Sequence, residues 1–168
     1  MGQNTINFYR QNEEYGIFSN FYGAPIEIDG EIWPTSEHYF QAQKFPTLPE
    51  LQQKIRNLST PSEAAKAGRR RDYPLREDWE SVKEDIMMRA LISKFTQHED
   101  LRRKLLDTGD AKIVEHTARD RYWGDGGGEG KGRNRLGVLL MRVRDELRRE
   151  EIDAAETVSD ETKINEQQ

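Results

Sequence analysis

Six of the nine residues in the segment 124–132 are glycine, and this run constrains the fold more than any other feature of the chain. Glycine is unfavourable inside helices and strands, so one regular element has to end before the run and another has to begin after it. The run also lets backbone amides approach a ligand closely. Arg133 and Asn134 lead from it into a helix predicted over 135–149, whose N-terminus favours anions.

Short apolar segments predict a few strands, and longer amphipathic segments predict the helices that make up most of the fold. Asp29-Gly30 divides the segment 26–33 into a hairpin, because this dipeptide favours the left-handed angles of a tight turn. Since the strands do not alternate regularly with the helices, we predict an α+β fold, a single compact and mostly helical domain with a small antiparallel sheet. Strands are predicted over 5–9, 15–18, 26–33 and 112–116, and helices over 35–45, 50–58, 60–70, 77–95, 98–107 and 135–149.

Charge is distributed unevenly along the chain. Seven of the 31 acidic residues, but only one of the 26 basic residues, lie beyond Arg149, so residues 1–149 are close to neutral. This division predicts a folded domain over 1–149 and an acidic, disordered tail over 150–168. A near-neutral domain lacks the basic surplus typical of duplex-binding proteins, so nucleic acid is expected only as a modified substrate.

Composition excludes several classes of protein. The chain has no cysteine, which excludes a disulfide scaffold, a thiolate zinc site and a cysteine nucleophile. Its three histidines are scattered, so no metal site is expected. It also lacks an apolar run of the ~18 residues that a membrane helix needs, and its first ten residues do not resemble a secretory signal. We therefore expect a cytoplasmic protein without a membrane partner.

The segment 33–45 places polar side chains along one face of a predicted helix. Glu37, Gln41 and Lys44 share that face, with Glu37 and Lys44 about 10 Å apart along the axis. At that spacing they cannot form a tight pair, but they can bracket a ligand with Gln41 between them. A solvated polar face is the alternative for the helix, and simple packing is the alternative for Trp33 beside Pro34.

Three further clusters stand out. Asn20 follows a predicted strand, where an asparagine either caps a turn or faces a ligand. Trp79 and Lys83 share a helix face with Met87, so the lysine either extends from the core to solvent or reaches into a cleft. The glycine run is preceded by Trp123 and interrupted by Asp125, whereas a flexible linker, the alternative for this run, seldom carries such residues at its margins.

These clusters, in this order, resemble the NADAR, or YbiA-like, family. The resemblance covers residues 6–147, and the ordered set is far more specific than any one motif. It implies a compact, mostly helical α+β fold and hydrolysis of an N-glycosidic bond, without a metal or cofactor. The matching strings are INFY, YGIFSNF, WPTSEHYFQAQKF, WESVKEDIMMRAL, IVEHT and YWGDGGGEGKGRNRLGVLLM.

Residue roles follow from the resemblance and from the chemistry of the reaction. Cleavage of an N-glycoside develops positive charge on the ribose, which a carboxylate stabilises while it activates water. Asp125 is assigned to the ribose and its water, and Glu37 to acid–base chemistry or substrate orientation, although the two can be exchanged. Lys44 is expected to donate to the substrate or to form a Schiff base with the opened sugar. The expected substrate-binding residues are Asn20, Trp33, Gln41, Trp79, Lys83, Trp123, Arg133 and Asn134.

Three functions are compatible with these residues. The first is hydrolysis of the ribose–amine bond in reactive ribosylaminopyrimidine phosphates, early intermediates of riboflavin biosynthesis, which would prevent damage by these metabolites. The second is removal of ADP-ribose from guanine bases of nucleic acid. The third is a non-catalytic module that binds a nucleotide or ADP-ribose through its tryptophans and basic residues.

Overall fold

Capping residues determine where the first helices begin. The Thr35 hydroxyl accepts a hydrogen bond from the backbone N–H of His38 at the start of α1 (Ser36–Ala42). Thr60 and Glu63 cap each other reciprocally in front of α3 (Pro61–Arg69), which has a proline in its first turn. These are the residues whose sequence pattern predicts helix starts.

The computed structural model describes residues 4–166, and its elements confirm the predicted α+β class. The strands are β1 (Thr5–Phe8), β2 (Ile26–Ile28), β3 (Glu31–Trp33) and β4 (Lys112–Glu115), and the other helices are α2 (Pro49–Arg56), α4 (Trp79–Gln97), α5 (Glu99–Asp107) and α6 (Arg135–Glu166). Within the described range, no helix is long and apolar enough to cross a membrane.

The strands form two separate pairs. β2 and β3 form the predicted antiparallel hairpin, in which Asp29 and Gly30 adopt positive φ angles of 53° and 79°. β1 and β4 pair in parallel, with Phe8 opposite Glu115. This parallel pair differs from the mostly antiparallel sheet that we predicted, because local periodicity does not encode the direction in which distant segments pair.

The segment 15–18 is not the strand that its composition predicts. Gly16–Phe18 form a 3₁₀ helix, with hydrogen bonds from Phe18 N–H to the Tyr15 carbonyl and from Ser19 N–H to the Gly16 carbonyl. The turn buries Ile17 and Phe18 in the core. Burial of these apolar side chains in the core therefore outweighs the strand propensity of the segment.

The expectation of a disordered tail also differs from the structure. α6 continues without interruption to Glu166, although the side chains beyond Ile152 are exposed. The packed first half of α6 supplies the costly helical nucleus, so the helix-favouring glutamates and alanines after it need only to propagate the helix. The last two residues of the predicted tail lie outside the described part of the chain.

Helix α4 lies at the centre of the fold, and it contacts α1, α5, α6 and β2. Its residues Leu91 and Phe95 are fully buried in the main core cluster, together with Leu140 of α6. A second cluster lies under the hairpin. Helix α1 contributes Phe40 to the main cluster and Tyr39 to the second one, so its remaining face is held rigidly between the two.

Ending the chain after Glu151 should remove helical far-ultraviolet circular dichroism and leave stability nearly unchanged. Glu151 itself is kept, because its Oε1 forms an ion pair with Arg103 Nη2 at 3.2 Å. The deleted side chains are exposed, so the free energy of unfolding should change by less than about 1 kcal/mol. An unchanged helical signal would contradict the continuation of α6 beyond Glu151.

Candidate active site

A cavity of about 550 Å³ opens between α1, α4 and the chain that follows β4. It collects most of the residues predicted from separate segments. Those that line it are Asn20, Glu37, Gln41, Lys44, Trp79, Lys83 and Trp123. Other residues that line the cavity were not predicted to be site residues, among them Arg69, Met87, Glu115, Asp120 and Tyr122.

The polar face of α1 forms one wall of the cavity. Glu37, Gln41 and Lys44 are only 7–8% exposed, which rules out the solvated face that we considered. Gln41 Nε2 donates to Glu37 Oε1 at 2.7 Å. Burial raises the pKa of Glu37 above its usual value, although the Gln41 hydrogen bond and the charges of Lys44 and Arg69 oppose this shift.

Lys44 lies in an environment that disfavours its charge. Burial and the nearby guanidinium of Arg71 lower its pKa to about 8, while Glu37 acts in the opposite direction. Its Nζ donates to the Gly68 carbonyl at 3.4 Å and lies 5.4 Å from the centre of the Trp79 ring. This lysine is therefore available in both the charged and the neutral form near neutral pH.

Aromatic rings form the second wall. Phe40 packs between the two tryptophans, with ring centres 5.0 Å from Trp79 and 5.5 Å from Trp123. Lys83 Nζ lies 3.8 Å from the centre of the Tyr122 ring and pairs with Glu80 at 2.5 Å. The wall therefore offers flat apolar surface with a cation beside it, which suits a ring that carries a phosphate.

Asn20 joins the segment between β1 and β2 to two helices. Its Oδ1 accepts a 2.8 Å hydrogen bond from Ser36 Oγ at the start of α1, and its Nδ2 lies 3.4 Å from Met87 Sδ on α4. The fully buried Lys94 donates to the neighbouring Ser19 carbonyl at 2.9 Å. These contacts hold the segment against the cavity. The Asn20 side chain lines the cavity and does not cap the turn, in which the Ser19 hydroxyl accepts from the backbone N–H of Phe21.

Asp120 was not among the predicted site residues. Its Oδ1 accepts hydrogen bonds from the backbone N–H groups of Tyr122 at 2.9 Å and Trp123 at 2.8 Å. Its other oxygen accepts no hydrogen bond from residues 4–166, and the side chain lines the cavity. An aspartate in a loop commonly accepts from the backbone N–H two residues further on, in an Asx turn, and that signal was available in the sequence.

Glu115, at the end of β4, was also missed. Its side chain lines the cavity, and burial together with the negative charges of Asp120, Glu37 and Asp125 raises its pKa to about 8. The pattern KIVEH predicts a strand, but nothing in it indicates that the glutamate at its end shares a cavity with Glu37 and Asp120.

Asp125 does not line this cavity, contrary to the expected pairing with Glu37. Its Oδ2 lies 2.6 Å from His116 Nδ1, and its Oδ1 accepts the backbone N–H groups of Thr117 at 3.0 Å and Gly127 at 2.8 Å. A Cβ on Gly132 would overlap the Asp125 backbone. The glycine run is therefore folded around Asp125, and this carboxylate organises the loop.

Three other predicted site residues also lie outside the cavity. Trp33 packs edge-on against Tyr39 in the second core cluster, with ring centres 5.5 Å apart. Asn134 holds β4 through its side-chain amide, donating to the Ile113 carbonyl and accepting from Glu115 N–H. Arg133 lies 5.0 Å from the centre of the Tyr122 ring. Trp33 lies outside the cavity because it packs in the core under the hairpin, the alternative that we considered for it, whereas Arg133 and Asn134 lie outside because the chain folds back at the loop.

Replacing Asp125 by Asn should lower the free energy of unfolding at pH 7 by about 1–3 kcal/mol, because the charged partner of His116 is lost. Burial raises the pKa of Asp125, but the hydrogen bonds from His116, Gly127 and Thr117 outweigh it and the net pKa is lowered. The carboxylate therefore stabilises the fold above about pH 4, and this contribution is lost as the pH falls further.

Urea denaturation between about pH 3 and pH 7 measures both effects, and Asp125→Asn should lose less stability than the wild type on acidification. Asp107→Asn, on the exposed surface of α5, is the matched control and should stay within about 0.5 kcal/mol of the wild type. Equal stability of Asp125→Asn and the wild type at pH 7 would contradict the role in organising the loop.

Known proteins are similar to this chain over the part that forms the fold and the cavity. Residues 7–148 match the family model described as the NADAR domain. N-glycosidase YbiA of Escherichia coli is 57% identical over 148 residues, which cover 88% of this chain and 91% of that protein. An N-glycosidase of Nostoc punctiforme is 44% identical over 146 residues, 86% of this chain and 93% of that protein. A riboflavin biosynthesis protein of Vibrio vulnificus is 41% identical over 86% of this chain but only 39% of its own length.

The fold has a solved counterpart as well. The NMR structure of Escherichia coli YbiA superposes with a TM-score of 0.82 at 55% identity, covering 90% of this chain and 89% of that one. The relatives that match over most of both chains are N-glycosidases, and the expected class of enzyme is thereby confirmed. By its sequence and its fold, this chain is a member of the NADAR domain family.

Proposed function

We propose that this N-glycosidase hydrolyses the bond between ribose and the exocyclic amine of ribosylaminopyrimidine phosphates, reactive intermediates of riboflavin biosynthesis. The observation that carries the proposal is the convergence of the buried Glu37 and the partly free Asp120 on one cavity walled by two indole rings. Support for the metabolic context comes from the Vibrio vulnificus relative, which is named a riboflavin biosynthesis protein.

The carboxylates provide the charge that the reaction requires. As the bond from C1′ to nitrogen breaks, positive charge develops on the ribose, and a nearby carboxylate stabilises it. Asp120 takes the role that we expected of Asp125, because its unpaired oxygen is available to water and to the ribose. The two backbone N–H groups on its other oxygen hold the carboxylate in position without reorganisation.

The remaining walls account for the other parts of the substrate. Trp79 and Trp123 offer faces for the pyrimidine, and stacking on an aromatic ring contributes about 1–3 kcal/mol. Arg69 and Lys83 line the same cavity and supply positive charge for the 5′-phosphate. Glu37, held by Gln41, is placed to accept hydrogen bonds from ribose hydroxyls and so to orient the sugar.

Product analysis tests the substrate. We expect purified protein to release ribose 5-phosphate and the free aminopyrimidine from a ribosylaminopyrimidine 5′-phosphate, detected by mass spectrometry. Release of ADP-ribose from an ADP-ribosylated guanine oligonucleotide, without activity on the pyrimidine, would instead favour the second function. Ligand binding without turnover of either substrate, unchanged by Glu37→Gln and Asp120→Asn, would favour a binding module.

Removing the carboxylate of Glu37 or of Asp120 should reduce kcat far more than it changes stability. For Asp120→Asn we expect a loss of about 10²–10⁴-fold, the usual range for a group that transfers a proton or stabilises the reacting charge. For Glu37→Gln, which removes an acceptor that orients the sugar, we expect a loss of about 10²-fold. Steady-state kinetics measures the loss. Asp107→Asn is the isosteric control, because Asp107 is exposed on α5 and does not line the cavity, and it should retain wild-type kcat. Full activity of Asp120→Asn would contradict its assignment to the ribose.

Lys44 offers a covalent route through a Schiff base, which needs an experiment of its own. With its pKa at about 8, roughly a tenth of Lys44 is neutral at pH 7 and can attack the aldehyde of a ring-opened sugar. If a Schiff base forms, borohydride added during turnover should attach the sugar to Lys44, visible as a mass increase on its peptide. No trapped adduct in the wild type, with turnover unaffected by Lys44→Arg, would leave hydrolysis by water as the route.

A further inference from the structure

Three carboxyl groups line the cavity, and they differ in what holds them. Glu37 accepts a hydrogen bond from Gln41, and Asp120 accepts two from the backbone. The carboxyl group of Glu115 accepts none from any group in the described range 4–166, although it lines the same space. A carboxyl group without a donor has no local partner for its negative charge, so it is the member of the set best suited to keep a proton.

The charges around Glu115 reinforce this difference. Asp120, Glu37 and Asp125 all disfavour a further negative charge, and with burial they raise its pKa to about 8. The ring of neighbouring His116 is hydrogen-bonded to Asp125. The other titratable groups that line the cavity are Tyr9, Lys44, Arg69, Lys83, Arg119 and Tyr122. The cations among them, two lysines and two arginines, do not prevent the rise in the pKa of Glu115 to about 8.

The backbone of Glu115 is fixed on both sides. Its N–H donates to Asn134 Oδ1 at 3.0 Å, and its carbonyl accepts from Asp125 N–H at 2.9 Å. A Cβ on Gly124 would lie only 3.0 Å from that carbonyl, so glycine is needed for the close approach of the loop. Asn134 and Asp125 therefore act on the site as positioning residues, through the strand end that carries Glu115.

We propose that Glu115 is the catalytic acid that delivers a proton to the leaving nitrogen, an assignment that rests on the proposed N-riboside substrate. The bond from C1′ to nitrogen breaks, its electron pair stays on nitrogen, and the Glu115 proton converts that nitrogen into the free amine. Water adds to C1′ and gives one proton to Asp120. That proton returns through solvent to Glu115, so the net reaction consumes only water.

Two leaving groups distinguish a proton donor from a structural residue. Glu115→Gln should lose about 10²–10⁴-fold in kcat on the ribosylaminopyrimidine phosphate, whose amine needs a proton, with KM changed less than about threefold. On p-nitrophenyl riboside 5-phosphate, whose phenolate leaves unprotonated, the loss should be below about tenfold. A pH profile would not distinguish the two groups, because the pKa values of Lys44 and Glu115 are both about 8. The two leaving groups do distinguish them.

Glu129→Gln is the matched control, because Glu129 is an exposed loop glutamate that pairs with Lys131 and does not line the cavity. It should match the wild type on both substrates. Equal losses of Glu115→Gln on the two substrates, or no loss on the amine, would overturn the assignment.

Infrared spectroscopy provides a second test of the protonation of Glu115, and this test needs no substrate. The wild type at pH 6 should show the carbonyl band of a protonated carboxyl group that disappears by pH 10. Because burial also raises the pKa of Glu37, the part of the band that belongs to Glu115 is the part that is lost in Glu115→Gln and kept in Glu37→Gln. If the wild type hydrolyses neither riboside, the proposed function fails, and the infrared band still decides whether Glu115 holds the proton. Absence of that band in the wild type overturns the inference on its own.

Discussion

The side-chain amide of Asn134 is the interaction on which the rest of the site depends. Asn134 adopts a φ of 49°, a left-handed conformation that asparagine tolerates better than most residues, and this turns the glycine loop into α6. Its amide bonds both Ile113 and Glu115, so the loop, the helix and β4 are joined at one point. Gly137 completes the junction, because a Cβ there would overlap the Ile113 carbonyl.

This junction explains why the cavity contains unusual charges. Glu115 is held at the end of β4, opposite the buried face of α1 that carries Glu37 and Lys44. Burying these groups is unfavourable, and they reduce the cost by shifting their pKa values toward the neutral forms. Such shifts are frequent where acids and bases have to exchange protons near neutral pH, which is the requirement of N-glycoside hydrolysis.

Local signals predicted the local features well. The Asp29-Gly30 turn, the Thr60 capping box and the common face of Glu37 and Lys44 depend on residues within one or two turns of each other. The partner of each strand could not be predicted, since β1 and β4 are separated by most of the chain. Asp125 looked like a site residue because it lies in the glycine run, whereas the loop turns its carboxylate toward His116.

The sequence by itself determined the fold class, the helix starts, the hairpin and the α1 face, because each follows from backbone angles, capping hydrogen bonds or helical spacing. It also carried the ordered motifs by which the chain resembles its family. Only the tertiary structure decided that Asp120 and Glu115, rather than Asp125, face Glu37. The physical reason is that side-chain direction at a loop depends on hydrogen bonds between segments that meet only when the whole chain is packed.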